Sequence, residues 1–433
     1  MHVLRTTSFA FRYYSETMIE NFLEHIDACP TAHHVVDRAS ALLSANGFTQ
    51  APLDAPFAIH LLERGYVSRG GTIIAWKNAK SISAQGIRIV GAHTDSPGLH
   101  IKPNPDTQTL QWQQLQVEVY GGPLLNSWLD RDLAIAGHVV LRDGTTSLFC
   151  SEIPVARIPQ LAIHLDRDVN DKGLVLNRHQ HLNPIWATGA STVSFEHWLA
   201  QQNSVSNSQI ASWSAQLVDT QKAEIFGRDS EFVASSRIDN QISCWAALTA
   251  LFADAGDQPM MVALFDHEEV GSQSSTGAGG PMLEHVLERL AYASGSSRSE
   301  FLAALQKSHC VSVDNAHAVH PNYTDRHELN NAPYVNKGVV IKSNVNQRYA
   351  TSPSSHVPVV HAASTVGLQL QAFSSRNNIA CGSTIGPITA TRMGIETVDI
   401  GVPQLSMHSI REMCGVQDPV DLVALLRAYF LRL

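Results

Sequence analysis

The sequence predicts an α/β protein in which one α/β domain is interrupted by an inserted β-rich domain. Helical patterns and short apolar runs follow one another near both ends of the 433-residue chain, as in α/β domains. Between about residues 96 and 232, short alternating segments separated by turn residues take their place. The chain also exceeds the usual size of a single hydrophobic core. We therefore divide it into residues 1–95, 96–232 and 233–433, the first and last forming one domain.

Residues 17–95 are predicted to form two helices followed by two strands. Thr17 and Glu20 have the spacing of a capping box, which marks the start of the fold. Apolar residues then recur at helical spacing as far as Gly47, a suitable helix cap. The apolar runs 71–76 and 86–92 are typical of strands. Residues before 17 are predicted to be a disordered or adherent tail.

The segment 96–232 is predicted to be antiparallel β structure. Residues 116–120 and 138–141 alternate between polar and apolar side chains, and Gly121-Gly122 and Asp143-Gly144 are turn signals. Residues 201–215 are rich in Gln, Ser and Asn and are predicted to be a surface loop.

From residue 233 the α/β pattern resumes. Ile242 and Trp245 belong to a predicted helix, and strand-like runs follow at 260–265, 310–313, 338–341 and 397–400. Asp418-Pro419 begins a last amphipathic helix, with proline in its first turn.

Charge and cysteine usage narrow the classes of function. Lys and Arg number 30 against 39 Asp and Glu, a net charge of −9 that argues against a general nucleic-acid binder. The six cysteines show no C-x-x-C spacing, which favours free thiols in a reducing compartment. No segment has the length of a membrane span, and residues 1–17 lack the apolar core of a secretory signal. We expect a cytoplasmic protein without nucleic-acid or membrane partners.

Two motifs at predicted strand ends indicate the chemistry. His93 and Asp95 follow the run 87–92, and Glu268 and Glu269 follow the run 260–265. Loops at the carboxyl ends of strands are where open α/β sheets bind ligands. A His beside a carboxylate, with a second carboxylate pair, suits a metal-assisted hydrolase in which a free Glu takes a proton from water. A solvated surface pair fits the apolar run before Glu268 poorly.

Three further positions complete a possible metal site. Asp239 precedes the predicted helix, Asp314 follows the strand 310–313, and His408 follows the strand 397–400 and a Gly-Val-Pro turn. Taken singly, an Asp before a helix is more often an N-cap, and a lone His is more often packed or solvated. The joint pattern of side chains at strand and helix ends favours a two-metal site in which one carboxylate bridges both ions.

Other catalytic motifs do not match. The stretch 271–280 is not a phosphate loop, because no Gly-Lys-Ser/Thr follows it. The run 267–271 (HEEVG) lacks the second His of the helical zinc-protease motif. No Gly-x-Ser-x-Gly elbow occurs, which disfavours a serine hydrolase.

The chain resembles the aspartyl aminopeptidase family of dinuclear metallopeptidases, in order and over nearly its whole length from about residue 17. The matching motifs are 91–97 (GAHTDSP), 128–133 (WLDRDL), 159–165 (PQLAIHL), 236–240 (SRIDN), 266–272 (DHEEVGS), 313–317 (VDNAH) and 406–408 (SMH). The resemblance implies a catalytic α/β domain with a central mixed sheet, interrupted by a β-rich dimerisation domain. It also implies assembly of dimers into a hollow tetrahedral homododecamer.

The resemblance implies a metal-ligand set. Asp239 would bridge two divalent ions, and His93, Glu269, Asp314 and His408 would be the terminal ligands. Which of Asp314 and Glu269 accompanies each histidine stays open. Two ions per subunit are expected, zinc first, with manganese or cobalt as alternatives because His and carboxylate sites accept all three.

The remaining catalytic roles also follow from the resemblance. Glu268 would be the general base, and Asp95 would orient the ring of His93.

The same resemblance places His317, Lys342 and Tyr349 around the substrate, with His164 reaching in from a neighbouring subunit. A cation near the site would offset the cost of burying an acidic side chain of the substrate. By itself, Lys342 would be taken for an exposed lysine. His164 has a second interpretation, as a metal ligand beside the other two histidines.

We therefore expect a metalloaminopeptidase that releases N-terminal Asp or Glu from peptides. One alternative is a broad-specificity aminopeptidase or N-acyl amino acid deacylase on the same scaffold. The other is a metal-stabilised assembly protein without turnover.

Overall fold

The computed structural model describes residues 17–189, 193–253 and 256–432. The described strands are β1 (Thr49–Gln50), β2 (Arg64–Arg69), β3 (Thr72–Lys77), β4 (Arg88–His93), β5 (Gly98–Thr109), β6 (Trp112–Tyr120), β7 (Leu133–Leu141), β8 (Thr146–Cys150), β9 (Ile185–Thr188), β10 (Ile210–Asp219), β11 (Glu224–Phe226), β12 (Phe232–Ser235), β13 (Met260–Phe265), β14 (His309–Val313), β15 (Ala316–His317), β16 (Val340–Lys342), β17 (Gln371–Phe373), β18 (Glu396–Gly401), β19 (Pro403–Leu405) and β20 (Glu412–Gly415). The predicted tail before residue 17 lies outside the described residues.

Helices surround these strands. They are α1 (17–28), α2 (Ala32–Ala45), α3 (Ile82–Gln85), α4 (Val169–Lys172), α5 (Phe195–Gln202), α6 (Ile238–Leu251), α7 (Met282–Ala293), α8 (Arg298–Lys307), α9 (Val357–Thr365), α10 (Ile385–Met393) and α11 (Asp418–Leu431). None of these described helices is long and apolar enough to cross a membrane.

A nine-stranded mixed sheet forms the centre of the α/β part, in the order β1-β2-β3-β13-β4-β14-β18-β16-β17. Strands β13, β4, β14 and β18 are parallel to one another, so their carboxyl ends meet at one edge. The predicted α/β class is confirmed, and this edge is where such sheets bind ligands.

Strand β13 shows why the apolar runs are continuous. Met260, Val262 and Leu264 enter the core formed with α1, α2, α6 and α11, whereas the intervening side chains enter the core formed with α7, α8 and α10. Because both faces of a central parallel strand are covered by helices, no position along it faces water.

A six-stranded antiparallel sheet, β8-β7-β10-β5-β6-β9, lies within residues 98–219 and has its own apolar core. A third sheet, β11-β12-β20-β19-β15, pairs two strands that precede β13 in the chain with three that follow β14. The six-stranded sheet falls inside the predicted insertion 96–232; the boundaries themselves stay a prediction.

Two local predictions were wrong. Strand β2 was not predicted, and the expected loop 201–215 contains the end of α5 and the first part of β10. Strand β10 pairs with β7 over its length and buries Ala215 and Leu217, although Ser and Gln occupy much of its surface. Packing against neighbouring strands outweighs intrinsic preference in such a segment.

Candidate metal centre

Five side chains predicted as metal ligands meet at the carboxyl-end edge of the central sheet. His93 ends β4, Glu269 lies in the turn after β13, and Asp314 follows β14. Asp239 lies at the start of α6, and His408 lies in the turn between β19 and β20. The chain thus brings together residues that are up to 315 positions apart (408 − 93).

Asp239 stands between the two histidines. Its Oδ1 is 3.3 Å from Nε2 of His93, and its Oδ2 is 3.6 Å from Nε2 of His408. Asp314 Oδ1 is 3.8 Å from Nε2 of His93, and Glu269 Oε2 is 3.4 Å from Nε2 of His408. The site thus has one half around His93 and another around His408. The two halves adjoin, because ligand atoms of His93, Asp239 and Glu269 also lie within 4.8 Å of one another.

The five side chains fit divalent cations. His93 and Asp239 are only 1% and 3% exposed. The buried Oδ1 of Asp239 accepts no hydrogen bond from any described residue, despite the nearby imidazole of His93. A buried oxygen without a partner is costly, and a cation between these groups would satisfy it. Imidazole nitrogen and carboxylate oxygen together suit zinc, manganese or cobalt.

The pKa values of the clustered side chains also favour bound cations. Burial, followed by the charge of Asp239, holds the pKa of Glu269 well above its usual range. Burial would lower the pKa of His93, but Asp239, Asp314 and Asp95 raise it well above the ordinary value. Without cations, the cluster therefore keeps protons to offset its negative charge. Metal binding replaces those protons.

Glu268 lies next to this cluster. Burial raises the pKa of its carboxyl to about 8; the carboxylates of Asp314, Asp239 and Asp95 add to the rise, and His93 opposes it. The Glu268 carboxylate makes no hydrogen bond with another described residue. It is therefore a free carboxyl group beside the site, and nearby cations would lower its pKa.

Asp95 holds both the histidine and the glutamate loop. Nδ1 of His93 is 3.1 Å from the backbone carbonyl oxygen of Asp95 and 3.5 Å from its carboxylate. The same carboxylate accepts the backbone N–H groups of Glu268 and Glu269 and the hydroxyl of Tyr120. Burial would raise the pKa of Asp95, but these hydrogen bonds and His93 lower it.

Sequence reasoning missed three residues beside the site: Tyr120, which donates to Asp95, Gln404, which donates to Glu412, and Glu412 itself. Glu412 is buried and accepts the backbone N–H groups of Asp239 and His408. An acidic residue inside the short run 412–415 was the one signal for Glu412, and it names no partner.

Lys342 lies beside Asp314, and Tyr349 lies beside Lys342. Lys342 is 1% exposed, so the simple interpretation as a surface lysine is wrong. Its Nζ is 3.5 Å from Oδ2 of Asp314, donates to the carbonyl oxygen of Asn315 at 3.0 Å and lies 4.9 Å from the ring centre of Tyr349.

An open cleft of about 410 Å³ adjoins these residues. It is lined by His317, Tyr349, the residues 404–407 before His408, and the cationic side chains Arg326 and Arg376. Its volume falls in the range of about 300–1,000 Å³ that is typical of small-molecule sites.

His164 is not brought to the centre within one chain. It lies in the exposed segment 161–165 of the predicted insertion. No hydrogen bond or ion pair joins it to the five clustered side chains in the described parts of the chain.

Comparisons with known proteins identify the family of this chain. The sequence model of the family described as Aminopeptidase I zinc metalloprotease (M18) matches residues 25–430. A probable M18 family aminopeptidase 2 of Streptomyces coelicolor is 45% identical over 409 residues, covering 92% of this chain and 94% of the relative.

Solved structures show the same fold. A chain in the cryo-EM structure of the Ape4 and Nbr1 complex matches with a TM-score of 0.92 and 34% identity, over 96% of this chain and 86% of that chain. The S. cerevisiae mApe1 dodecamer matches with a TM-score of 0.82 and 26% identity, over 96% of this chain and 97% of that chain. The prediction of a metal-dependent hydrolase is confirmed, and the interpretation as a protein without turnover is set aside. The chain belongs to the M18 family of zinc metallo-aminopeptidases.

Proposed function

We propose that the centre holds two divalent ions, zinc first, that share Asp239. His93 and Asp314 would complete one set of ligands, and Glu269 and His408 the other. The supporting observation is that the two oxygens of Asp239 face different histidines, at 3.3 Å and 3.6 Å. Bound ions of this kind polarise the scissile carbonyl and make a water molecule more acidic.

Glu268 is the proposed general base. It would take the proton from the attacking water and pass it to the leaving amine. Its carboxylate suits this role because it lies beside the cluster and is not engaged by another described residue. The backbone N–H groups of Glu268 and Glu269 donate to Asp95, so the loop that carries this carboxylate is held beside the cluster.

The proposed substrates are peptides with Asp or Glu at the amino terminus. The buried ammonium of Lys342, with His317 and Tyr349 nearby, would attract the first side chain. Arg326 and Arg376 add positive charge to the lining of the cleft, and Glu328 is the single acidic residue among the described lining residues. Charge-assisted hydrogen bonds would offset the loss of water around the substrate carboxylate.

We also propose that the protein forms a homododecamer. The mApe1 structure that it resembles is a dodecamer. The insertion exposes Leu161, Ile163 and Leu165, with 63%, 46% and 74% of their surfaces accessible. An apolar segment of this kind is suited to contact with another subunit. Its neighbour His164 would then enter the cleft of an adjacent subunit.

We propose a cytoplasmic location because the cysteines form no disulfides. All six thiols are unpaired. Unpaired cysteines are typical of reducing compartments.

The test is hydrolysis of aspartyl, glutamyl and leucyl chromogenic amides, before and after chelation and with zinc, manganese or cobalt restored. Metal-dependent turnover that favours the acidic amides is expected. Preference for the leucyl amide would indicate a broad-specificity aminopeptidase instead of one specific for acidic residues. Cleavage of N-acylated amino acids would favour the deacylase. Metal analysis of the active protein checks the number of ions.

A further inference from the structure

Glu412 joins two of the clustered side chains through their backbones. It begins β20 and is 2% exposed. Its Oε2 accepts the backbone N–H of Asp239 at 2.8 Å, and its Oε1 accepts the backbone N–H of His408 at 2.7 Å. These two residues lie on different elements, at the start of α6 and in the β19–β20 turn.

A buried amide chain extends this connection to a third segment. Gln404 donates through Nε2 to Oε1 of Glu412 at 3.4 Å, and its own Oε1 accepts from Nδ2 of Asn315 at 2.8 Å. Asn315 directly follows Asp314 in the chain. The three ligand-bearing segments are therefore tied together behind the cluster by Glu412, Gln404 and Asn315.

The chemistry of this position favours a carboxylate over an amide. Two N–H groups point at different oxygens of Glu412, and an amide side chain has one oxygen and one NH₂ group. In Glu412→Gln, one of the two N–H groups would face another donor. A buried donor or acceptor without a partner costs about 1–3 kcal/mol.

A contribution to folding stability does not by itself explain a buried carboxylate at position 412. A buried negative charge close to Asp239 is unfavourable, and buried ionic groups are often replaced by apolar ones without loss of stability. What the carboxylate does provide is a fixed spacing between the backbones of Asp239 and His408. The ring of His408 makes one further contact, of 3.1 Å, between its Nδ1 and the carbonyl oxygen of Gly122.

We propose that Glu412 is a positioning residue for the metal centre, and that it sets the affinity for the ion between Asp239, Glu269 and His408. This proposal rests on the two-metal function proposed above. His93 itself is held by Asp95, whereas the backbone of His408 is held by Glu412. The ion beside His93 should therefore depend less on Glu412 than the ion beside His408.

The test measures metal binding by the full-length protein. Zinc would be titrated into wild type and into Glu412→Gln, with metal content, zinc dissociation constants and thermal unfolding followed together. We expect one ion to be retained and the dissociation constant of the other to rise about ten- to hundredfold, as for other residues that orient ligands. Turnover should recover in excess zinc, because a positioning defect is offset by occupancy.

Asp418→Asn is the matched control. Asp418 is 1% exposed and also accepts backbone N–H groups, from Asn336 and Gly415, but it contacts none of the proposed ligands. It should lower the unfolding temperature without changing zinc affinity. Equal weakening of zinc binding in both variants would reduce Glu412 to a general stabiliser and overturn the proposal.

Further outcomes are decisive as well. Unchanged zinc affinity in a folded Glu412→Gln protein would overturn the proposal directly. If that variant does not fold, Gln404→Met is measured instead. It removes the side-chain hydrogen bonds of Gln404 to Glu412 and Asn315 and leaves the bonds of Glu412 to the backbones of Asp239 and His408. It should raise the dissociation constant of the more weakly bound ion by a smaller factor; no change would count against the proposal. A wild-type protein that binds a single ion would instead refute the two-metal function itself.

Discussion

Asp95 and Glu268 are joined directly: Oδ1 of Asp95 accepts the backbone N–H of Glu268 at 3.1 Å. Asp95 belongs to the His93 motif and Glu268 to the glutamate pair, so one carboxylate connects the two motifs. The loop that carries the proposed base is thereby fixed relative to a proposed metal ligand.

Asp95→Asn should lower kcat about ten- to hundredfold. The amide of asparagine cannot accept every N–H that the carboxylate accepts, so the loop of Glu268 would shift. Steady-state kinetics on an aspartyl amide would measure this. Tyr120→Phe is the control, since it removes one hydrogen bond from Asp95 and should cost less; an equal loss in both variants would contradict this account.

Glu268→Gln should lower kcat by a factor of about 10²–10⁴ while both ions stay bound. Glutamine keeps the size of the side chain and cannot take a proton. Turnover and metal content would be measured on the same preparation. The exposed Glu196→Gln should change neither, and normal turnover in a metal-loaded Glu268→Gln protein would remove Glu268 from the mechanism.

Lys342→Met should reduce the preference for aspartyl over leucyl amides about tenfold or more, because a hydrogen bond to a charged group contributes about 1.5–3 kcal/mol. The ratio of the two kcat/KM values is the measurement. Metal content must be checked as well, because Lys342 is 3.5 Å from Asp314. The exposed Lys337→Met serves as the control, and an unchanged ratio in the Lys342 variant would assign the specificity elsewhere.

Zinc affinity should rise as the pH is raised above about 6.5, the ordinary pKa of histidine, because His93 keeps its proton there in the metal-free protein. In the metal-free protein the neighbouring carboxylates hold the pKa of His93 well above its usual value, although burial alone would lower it. Zinc must displace that proton, so binding releases protons and weakens as the pH falls. Calorimetric titration in buffers of different ionisation enthalpy would count the protons, and zero release would contradict the assignment of His93.

Mixed assemblies would test the role of His164. The variants His164→Ala and Glu268→Gln should each be impaired alone. After mixing, some sites would combine an intact Glu268 with His164 of a neighbour, so activity should exceed the sum of the separate samples. Glu268→Gln mixed with Lys342→Met should show no such gain, because these residues belong to the same chain's site. Absence of gain in a proven mixed assembly would argue against a shared site.

Much of the site could be predicted from sequence because its residues directly follow or precede regular elements. His93 ends a strand whose side chains are almost all buried, and Asp314 directly follows the neighbouring buried strand. Such runs identify central parallel strands, and the carboxyl ends of parallel strands share one edge. The ligand set then followed from the resemblance carried by the motifs.

The remaining features depended on the tertiary structure. Strand β10 was not predicted because its polar residues mask the short pattern of apolar side chains that it buries. Glu412 was missed because its partner Asp239 is 173 residues away, and no local pattern encodes that hydrogen bond.

By itself, the sequence determined the α/β class, the M18 motifs and the residue types of the metal centre. Only the tertiary structure decided that Asp314 lies beside His93, that Glu269 lies beside His408, and that Lys342 is buried against Asp314. The physical reason is that strand-end motifs are local, whereas the spacing of side chains across a sheet edge depends on strand order, register and the packing of distant segments.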